Sequence, residues 1–365
     1  MNDPIAATVD TTPCPSPIWL PSGHLQTLYG ALFAHTNRLR FVRERVDTPD
    51  GDFLDFDWSA PGIVLQPKGA AIDTTDLPKH SAASRWMTAA DQTIIGEHED
   101  TPALLLLHGL EGDSNSRYVQ SILQYFRARG WLVALAHFRG CSGTPNRLAR
   151  SYFSGDSDEI EFILRQAIQR APSANWHVAG VSLGGNALVK FLGEKPDQAS
   201  VITAAVSICA PLDLVAAGER LSEDWLCRQI YTRYFLRTMK PKILEKATRF
   251  PGAVNVTRIS RARTLFEFDD AYTAPMHGFS GAIDYWTKAS GKPWLKSIQV
   301  PTLVINPRND PFIPQASLPG PSQASSSVTL HQPAEGGHMG FTTGRFPGSL
   351  HWLPNRLANF FLATH

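Results

Sequence analysis

Trp176-His177-Val178-Ala179-Gly180-Val181-Ser182-Leu183-Gly184 is the stretch of sequence that decides the fold. An apolar run leads into a serine between two glycines, and residues 182–192 continue with helical spacing. A Gly-x-Ser-x-Gly pattern between a strand and a helix is typical of a sharp turn that exposes a nucleophilic serine. The start of the helix also favours negative charge on a nearby oxygen. The stretch therefore predicts a nucleophile at Ser182, with an ordinary strand-to-helix turn as the alternative.

Short apolar runs alternate with helical stretches on both sides of this segment. The runs predict six strands, at residues 103–107, 131–136, 176–180, 201–209, 301–306 and 328–331. Helical spacing covers residues 115–129, 157–170 and 182–192. Such alternation is typical of a mostly parallel central sheet with helices on both faces, so the predicted fold class is α/β.

Three segments fall outside this alternation. Residues 1–40 are rich in proline and irregular, and they predict an N-terminal arm whose compact aromatic piece lies along the surface of the main domain. Residues 60–101 predict a long loop or insertion, which follows an antiparallel hairpin formed by residues 40–47 and 53–58. The interval 211–298 is far longer than one crossover needs and predicts a mostly helical cap. The core then comprises residues 41–210 and 299–365.

Composition and charge exclude several classes of protein. The chain has 365 residues, of which 43% are hydrophobic, so it is neither disordered nor a disulfide-stapled miniprotein. Lys and Arg number 34 against 33 Asp and Glu, and the net charge of +1 argues against nucleic acid as a partner. No apolar run approaches the roughly 20 residues of a transmembrane segment, and the N-terminus does not resemble a secretory signal.

The cysteines indicate the compartment. The chain contains Cys14, Cys141, Cys209 and Cys227, which are far apart and lack the paired spacing of a zinc site or a redox dithiol. We therefore expect reduced thiols, a cytoplasmic location and no metal.

A serine nucleophile needs a base, and the base needs a carboxylate that orients it. Asp310 follows the predicted strand 301–306, and His338 follows the next predicted strand. Ser182, Asp310 and His338 therefore all follow strands of one parallel sheet, at the edge where ligands bind in such sheets. We predict that these three residues form the catalytic triad.

Other acids and histidines compete for these roles. Asp269, Asp270, Asp284 and His277 fall inside the predicted cap, Glu335 is close to His338 along the chain, and His351 leads into the final helix. None of them follows a predicted core strand in the way that Asp310 and His338 do.

The oxyanion formed during acyl transfer needs two backbone N–H donors. We assign these to Leu183, directly after the nucleophile, and to Leu110 in the loop after the first core strand. That loop also carries an H-x-x-x-x-D string, from His108 to Asp113, which some acyltransferases use. Acyl transfer to an alcohol or a thiol therefore stays open as an alternative.

Local motifs carry a resemblance to a known family. They are Trp19-Leu20-Pro21-Ser22-Gly23-His24-Leu25-Gln26-Thr27, His108-Gly109-Leu110-Glu111-Gly112, Phe138-Arg139-Gly140-Cys141-Ser142-Gly143, the turn at Ser182, Asn309-Asp310-Pro311 and Gly336-Gly337-His338-Met339-Gly340-Phe341. The chain resembles the YheT-like (AB hydrolase-4) branch of the α/β-hydrolases, which is similar to the eukaryotic ABHD1 and ABHD3 lipid hydrolases. Two departures are a longer segment 60–101 and the absence of the N-terminal membrane anchor of the eukaryotic members.

The resemblance implies an α/β-hydrolase fold and a hydrolase of carboxylic esters, with Ser182, Asp310 and His338 as nucleophile, acid and base. The chemistry requires no cofactor. The expected substrates are small-molecule or lipid esters with short- to medium-chain acyl groups. A non-catalytic ligand-binding protein on the same scaffold is the alternative from another class.

The predicted cap has a charge of its own. Between residues 211 and 297 it carries 14 Lys and Arg against 9 Asp and Glu, so the cap is +5 and the remainder of the chain −4. Trp225, Tyr231, Tyr234 and Phe235 alternate there with Arg228, Arg233 and Arg237. Packing of the apolar residues onto the core is one interpretation of this pattern. The other is that the four aromatic residues form the substrate-binding wall, while the basic side meets an anionic group or the surface of a lipid membrane.

Overall fold

A ten-stranded sheet forms the centre of the computed structural model, which describes residues 6–66 and 73–364. Residues 1–5 of the predicted arm, residues 67–72 of the predicted insertion and residue 365 lie outside these ranges. The strands are β1 (Thr8–Asp10), β2 (Phe41–Asp47), β3 (Phe53–Ser59), β4 (Ala83–Trp86), β5 (Pro102–Leu107), β6 (Leu132–His137), β7 (Asn175–Val181), β8 (Ala204–Ile208), β9 (Thr302–Ile305) and β10 (Val328–His331).

The strand order is β1-β10-β9-β8-β7-β5-β6-β3-β2-β4. Within this sheet only β3 runs against the others, because it pairs antiparallel with both β2 and β6. The prediction of a mostly parallel sheet is confirmed, and so is the hairpin, in which Val42 lies opposite Trp58.

Helices cover both faces of the sheet. They are α1 (Gly23–Leu32), α2 (Ala89–Gly96), α3 (Arg117–Arg127), α4 (Ser157–Arg170), α5 (Leu183–Glu194), α6 (Pro196–Ala199), α7 (Leu214–Glu223), α8 (Trp225–Cys227), α9 (Arg233–Arg249), α10 (Val256–Arg261), α11 (Leu265–Phe268), α12 (Ala274–Met276), α13 (Ala282–Ala289) and α14 (Trp352–Ala363). None of these helices combines the length and apolar character needed to cross a membrane.

The parallel strands are apolar on both sides because both of their faces are covered. In β5, Leu105 and Leu107 belong to one buried cluster, whereas Leu104 and Leu106 belong to the cluster on the opposite face. This two-sided core fixes the carboxyl ends of the strands along one edge of the sheet.

Two segments that were predicted to be irregular contain regular structure. The arm contributes the edge strand β1, in which Thr8 lies opposite Thr329, and the helix α1. The segment 60–101 contains β4, which pairs in parallel with β2, and α2. A buried ion pair between Arg85 and Asp91 joins β4 to α2, and the same guanidinium donates to the carbonyl of Val64.

Residues 211–298, which we call the cap, hold α7–α13 and two π-helical turns, Arg228–Thr232 and Asp269–Thr273. The buried ammonium of Lys246, on α9, donates to the carbonyl oxygen of Arg150 at 2.7 Å and to Ser151 Oγ at 2.9 Å. Burial lowers the pKa of Lys246 to about 8. The cap is therefore attached to the core by a lysine that has little contact with solvent.

Candidate active site

Ser182 lies on a strained turn between β7 and α5. Its φ of 51° and ψ of −117° lie in a region that side-chain-bearing residues rarely adopt. The turn requires glycines around it, because a Cβ on Gly180 would lie 2.5 Å from the carbonyl oxygen of Gly184, and one on Gly184 would lie 2.5 Å from that of His108. The serine side chain is thereby held at the N-terminus of α5.

Ser182, His338 and Asp310 form a hydrogen-bonded chain. Ser182 Oγ lies 3.0 Å from His338 Nε2, and His338 Nδ1 lies 2.8 Å from Asp310 Oδ2. The side chain of Asp310 is fully buried, and that of His338 is 10% exposed. The three residues come from loops that follow β7, β9 and β10, so the structure brings together all three residues of the predicted triad.

Phe312 contacts both Asp310 and His338. Its backbone N–H donates to Asp310 Oδ1 at 2.8 Å, which leaves Oδ2 to the imidazole. Its ring also stacks on the ring of His338. The sequence analysis did not identify Phe312, although its position two residues after the acid places it in the same loop.

Leu110 and Leu183, which carry the two predicted oxyanion donors, line the same cavity as Ser182. Leu183 is the first residue of α5, where backbone N–H groups have no partner within the helix. No acceptor for the N–H of Leu110 is found in the parts of the chain that the structure describes. The N–H groups on either side of Leu110 are occupied, since Gly109 donates to Tyr118 and Glu111 donates to Tyr152.

His108 and Asp113 do not form an acyltransferase-type pair. His108 Nδ1 lies 2.7 Å from the carbonyl oxygen of Gly109, and His108 Nε2 accepts the backbone N–H of Phe138 at 3.0 Å. Burial lowers the pKa of His108 to about 3. Asp113 accepts the N–H groups of Asn115 and Ser116 within its own turn. The string therefore has a structural role in the loop.

The competing residues are engaged elsewhere. In the cap, Asp269 accepts the indole N–H of Trp286, while Asp270 and Asp284 form ion pairs with Arg258 and Lys288. His277, also in the cap, packs on the ring of Phe153. Outside the cap, Glu335 accepts a hydrogen bond from Asn309, and His351 is exposed before α14. None of these contacts reaches Ser182.

Two cavities meet at Ser182. The cap-side cavity has a volume of about 530 Å³ and extends beneath the cap, between residues such as Met239 and Trp286. The arm-side cavity has a volume of about 560 Å³ and extends along α1, past Leu28 and Arg38. Their shared wall consists of Leu110, Glu111, Asn115, Ser182, Phe235, Phe312 and His338.

The cap aromatics occupy different positions relative to these cavities. Phe235 lines both cavities, while Tyr231 and Tyr234 line the arm-side cavity. The hydroxyl of Tyr231 lies 3.1 Å from Nδ1 of His24, which joins the cap to the arm. Trp225 lines neither cavity and is 66% exposed. The structure therefore does not bring Trp225, on the short helix α8, to the walls of these two cavities.

An ion pair also joins the cap to the loop that carries Leu110. Lys242 Nζ lies 2.8 Å from Glu111 Oε2, and the Glu111 side chain is 6% exposed. Tyr152 donates its hydroxyl to the other carboxylate oxygen, Oε1. A buried carboxylate with two partners therefore lies in the wall between the cavities.

One group of potential metal ligands occurs in the described part of the chain. The sulfur of Cys209, a carboxylate oxygen of Asp310 and an imidazole nitrogen of His338 lie within 4.8 Å of one another. Burial, and then the neighbouring Asp310 charge, raise the pKa of the Cys209 thiol well above its usual value. Since zinc binds the thiolate, this environment disfavours a zinc site.

Comparisons with known proteins agree with this architecture. The family model for the alpha/beta hydrolase fold matches residues 102–344. The YheT protein of Escherichia coli is 32% identical over 92% of this chain and 89% of its own length. Human phospholipase ABHD3 is 26% identical over 90% of this chain and 74% of its length, and a monoacylglycerol lipase of Saccharomyces cerevisiae is 24% identical over 95% and 79%. The chain therefore belongs to the α/β-hydrolase fold family and is a carboxylic ester hydrolase.

Proposed function

We propose that Ser182 attacks the carbonyl carbon of a carboxylic ester and that His338 accepts the proton of its hydroxyl. Asp310 orients the imidazole and stabilises its protonated form. The observation that supports this proposal is the continuous hydrogen-bonded chain from Ser182 Oγ to the buried carboxylate of Asp310. His338 then protonates the leaving alcohol, and water, activated by the same imidazole, releases the acid from the acyl enzyme.

The backbone N–H groups of Leu110 and Leu183 stabilise the negatively charged oxygen of the tetrahedral intermediate. A donor that is fixed before the reaction needs no reorganisation when the charge develops. The bonds from Gly109 to Tyr118 and from Glu111 to Tyr152 support this role, because they fix the loop on both sides of Leu110.

The substrate that we propose is an ester with an extended group on each side of its carbonyl, such as a lipid ester with a short- to medium-chain acyl group. Each cavity lies within the roughly 300–1,000 Å³ that holds a drug-sized ligand. One cavity can take the acyl chain and the other the alcohol. Phe235 and Phe312 lie where the two cavities meet, so both groups of the substrate would contact an aromatic wall.

The experiment compares Ser182→Ala with wild type on p-nitrophenyl esters of graded acyl length and on lysophospholipids. We expect a loss of kcat of roughly 10⁶-fold in the variant, with an unchanged unfolding transition. Ser200→Ala is the matched control, because the hydroxyl of Ser200 donates only to Asp197 on the surface. Labelling by a fluorophosphonate in wild type but not in Ser182→Ala would separate an enzyme from a ligand-binding protein. Equal activity in Ser182→Ala and wild type would refute the proposal.

The same acyl enzyme also allows a second reaction, in which the acyl group is transferred to an alcohol or a thiol and not to water. Product analysis with an added acceptor distinguishes the two reactions. If an ester of the acceptor is formed at the expense of free acid, the enzyme is a transferase under those conditions.

We also propose that the basic face of the cap contacts anionic or lipid substrates and that the enzyme works in the cytoplasm. Arg233 and Arg237 are exposed on α9, and Arg228 is half-buried just before it. The four buried, unpaired cysteines fit a reducing compartment. Replacing the three arginines by Gln should lower rates on lysophospholipid vesicles and leave rates on p-nitrophenyl butyrate unchanged. Equal rates on both substrates would contradict the lipid contact.

A further inference from the structure

The loop that carries His338 is held by side chains rather than by secondary structure. Four consecutive backbone N–H groups, those of residues 336–339, each donate to a different side chain. The acceptors are Gln26 Oε1 at 2.9 Å from Gly336 N, Asn309 Oδ1 at 2.9 Å from Gly337 N, Thr27 Oγ1 at 2.8 Å from His338 N and Cys209 Sγ at 3.4 Å from Met339 N. These four side chains come from α1, from the loop of the acid and from the end of β8.

The loop needs such support because its backbone is unusual. Gly337 has a φ of 59° and Met339 a φ of 60°, so the residues on both sides of His338 are in the left-handed region. For a residue with a side chain, such as Met339, this conformation is strained and persists only when its surroundings enforce it. The direction in which the imidazole leaves the backbone therefore depends on the four acceptors.

Gln26 makes every hydrogen bond that its amide allows, although it is fully buried. Its Nε2 donates to the carbonyl of Leu20 and to Glu335 Oε2, and its Oε1 accepts from Gly336 and from Asn309 Nδ2. A buried polar group with all of its partners specifies one arrangement. Gln26 thus joins the arm to the loop of the acid and to the loop of the base.

The backbones of α1 and of these loops also approach closely. A Cβ on Gly23 would lie 1.8 Å from the carbonyl oxygen of Asn309, and one on Gly340 would lie 2.6 Å from that of Gln26. Thr27 donates its hydroxyl to the carbonyl of Gly23, so the oxygen that accepts from His338 is itself oriented. The arm is therefore packed directly against the loops of the base and the acid.

We propose that Gln26 and Thr27 of the arm, with Asn309 and Cys209, are positioning residues that set the imidazole of His338 against Ser182. The inference rests on the proposed function, since it assigns these residues to the base of that reaction. None of the four reacts with the substrate. They act by keeping Nε2 within hydrogen-bond distance of the nucleophile, where a displacement of about 1 Å can cost roughly 100-fold in rate.

The principal test is Thr27→Val, which removes the acceptor of the His338 N–H and keeps the shape of a side chain that also lines the arm-side cavity. We expect kcat on p-nitrophenyl butyrate to fall about 10- to 100-fold while KM changes less than twofold. The rate of inactivation by a fluorophosphonate should fall by a similar factor, and the pH at which kcat/KM is half-maximal should shift. Thr27→Ser restores the acceptor and should recover most of the rate.

A second variant and a matched control separate positioning from packing. Cys209→Ala removes the acceptor of the Met339 N–H at a residue that lines neither cavity, so it tests the loop without altering the substrate walls. Tyr29→Phe is the control, because it removes a hydrogen bond from the same helix α1 to the carbonyl of Pro347, away from residues 336–339. Tyr29→Phe should keep wild-type kcat.

The outcomes are distinct. If Thr27→Val and Cys209→Ala lower the melting temperature but keep kcat and the pH profile of wild type, the four residues are merely structural and the inference is wrong. If Ser182→Ala is as active as wild type, the proposed function itself fails. A loss of kcat in both loop variants, with Thr27→Ser active and Tyr29→Phe unchanged, supports the inference.

Discussion

The ring of Phe312 lies on the imidazole of His338, with 4.0 Å between the ring centroids and 26° between the planes. Phe312 also lines both cavities, so one side chain stacks on the imidazole and borders the two spaces that meet at Ser182. The stack limits rotation of the imidazole about its bonds.

Removal of this stack should slow the reaction. An aromatic pair contributes about 0.5–1.5 kcal/mol beyond its burial, so we expect Phe312→Leu to lower kcat about two- to tenfold. Steady-state kinetics on p-nitrophenyl butyrate measure the effect. Phe312→Tyr keeps the ring and should retain most of the activity; a Tyr variant as slow as Leu would contradict a role of the stack.

Gly184 should tolerate no side chain. The added Cβ of Gly184→Ala would meet the carbonyl oxygens of both His108 and Leu107, at 2.5 and 2.7 Å, so the turn at Ser182 must shift. We expect a loss of more than 100-fold in kcat and a lower melting temperature, measured by ester hydrolysis and calorimetry. The control is Gly96→Ala, whose Cβ would make an ordinary contact of 3.7 Å and should leave activity unchanged.

Lys246→Met should loosen the cap. The change leaves the carbonyl of Arg150 and the hydroxyl of Ser151 without their buried ammonium, at a cost of about 1–3 kcal/mol. We expect faster proteolysis within the cap and a lower melting temperature. Lys240→Met is the matched control on the same helix, because Lys240 donates only to carbonyls inside the cap, those of Ser260 and Ala262. Equal protease resistance in the two variants would contradict the proposed attachment.

His108 should make the fold sensitive to acid. Burial lowers the pKa of His108 from its ordinary value of 6.5 to about 3 in the folded protein. Below pH 6.5 the unfolded chain takes up a proton that the folded chain does not, so stability falls with pH, by up to about 1.4 kcal/mol per pH unit for this one group.

The measurement is urea unfolding of wild type and His108→Asn at pH 8, 6.5 and 5. Wild type should be the more stable at pH 8, and the difference in unfolding free energy should narrow toward pH 5. His351→Asn, at an exposed position, is the control. A difference between wild type and His108→Asn that is independent of pH would show that His108 does not cause the acid sensitivity.

The sequence was sufficient to predict the parallel centre of the sheet, its hairpin and the three residues that meet at its edge, but not the strands β1 and β4. Parallel strands bury both faces, so the apolar runs around residues 103–107 and 176–180 were distinct from their helical neighbours. Ser182, Asp310 and His338 could be located because each lies in the turn or loop that comes after such a run. The apolar run at residues 201–209 predicted a longer strand than Ala204–Ile208, because periodicity does not fix the ends of an element.

The structure of the arm could not be predicted from its own sequence. Gln26 is polar and lies in a proline-rich region, a pattern that favours a surface segment, yet its partners at residues 309, 335 and 336 bury it completely. Trp225 differs from its expected burial in the opposite direction, because this aromatic residue in an apolar pattern is exposed. In both cases the burial of the side chain depends on residues that are distant in the chain. The local sequence pattern carries no information about those residues.

The pairing of β1 with β10 has a consequence for the synthesis of the enzyme. Thr8 and Thr329 lie opposite each other in the sheet, although more than 300 residues separate them in the chain. Because β1 leaves the ribosome before β10, it has no neighbouring strand to pair with until residues 328–331 have been made. Contacts between such distant residues form late in folding. The edge strand β1 therefore joins the sheet only after the segment that directly precedes the loop of His338 has been synthesised.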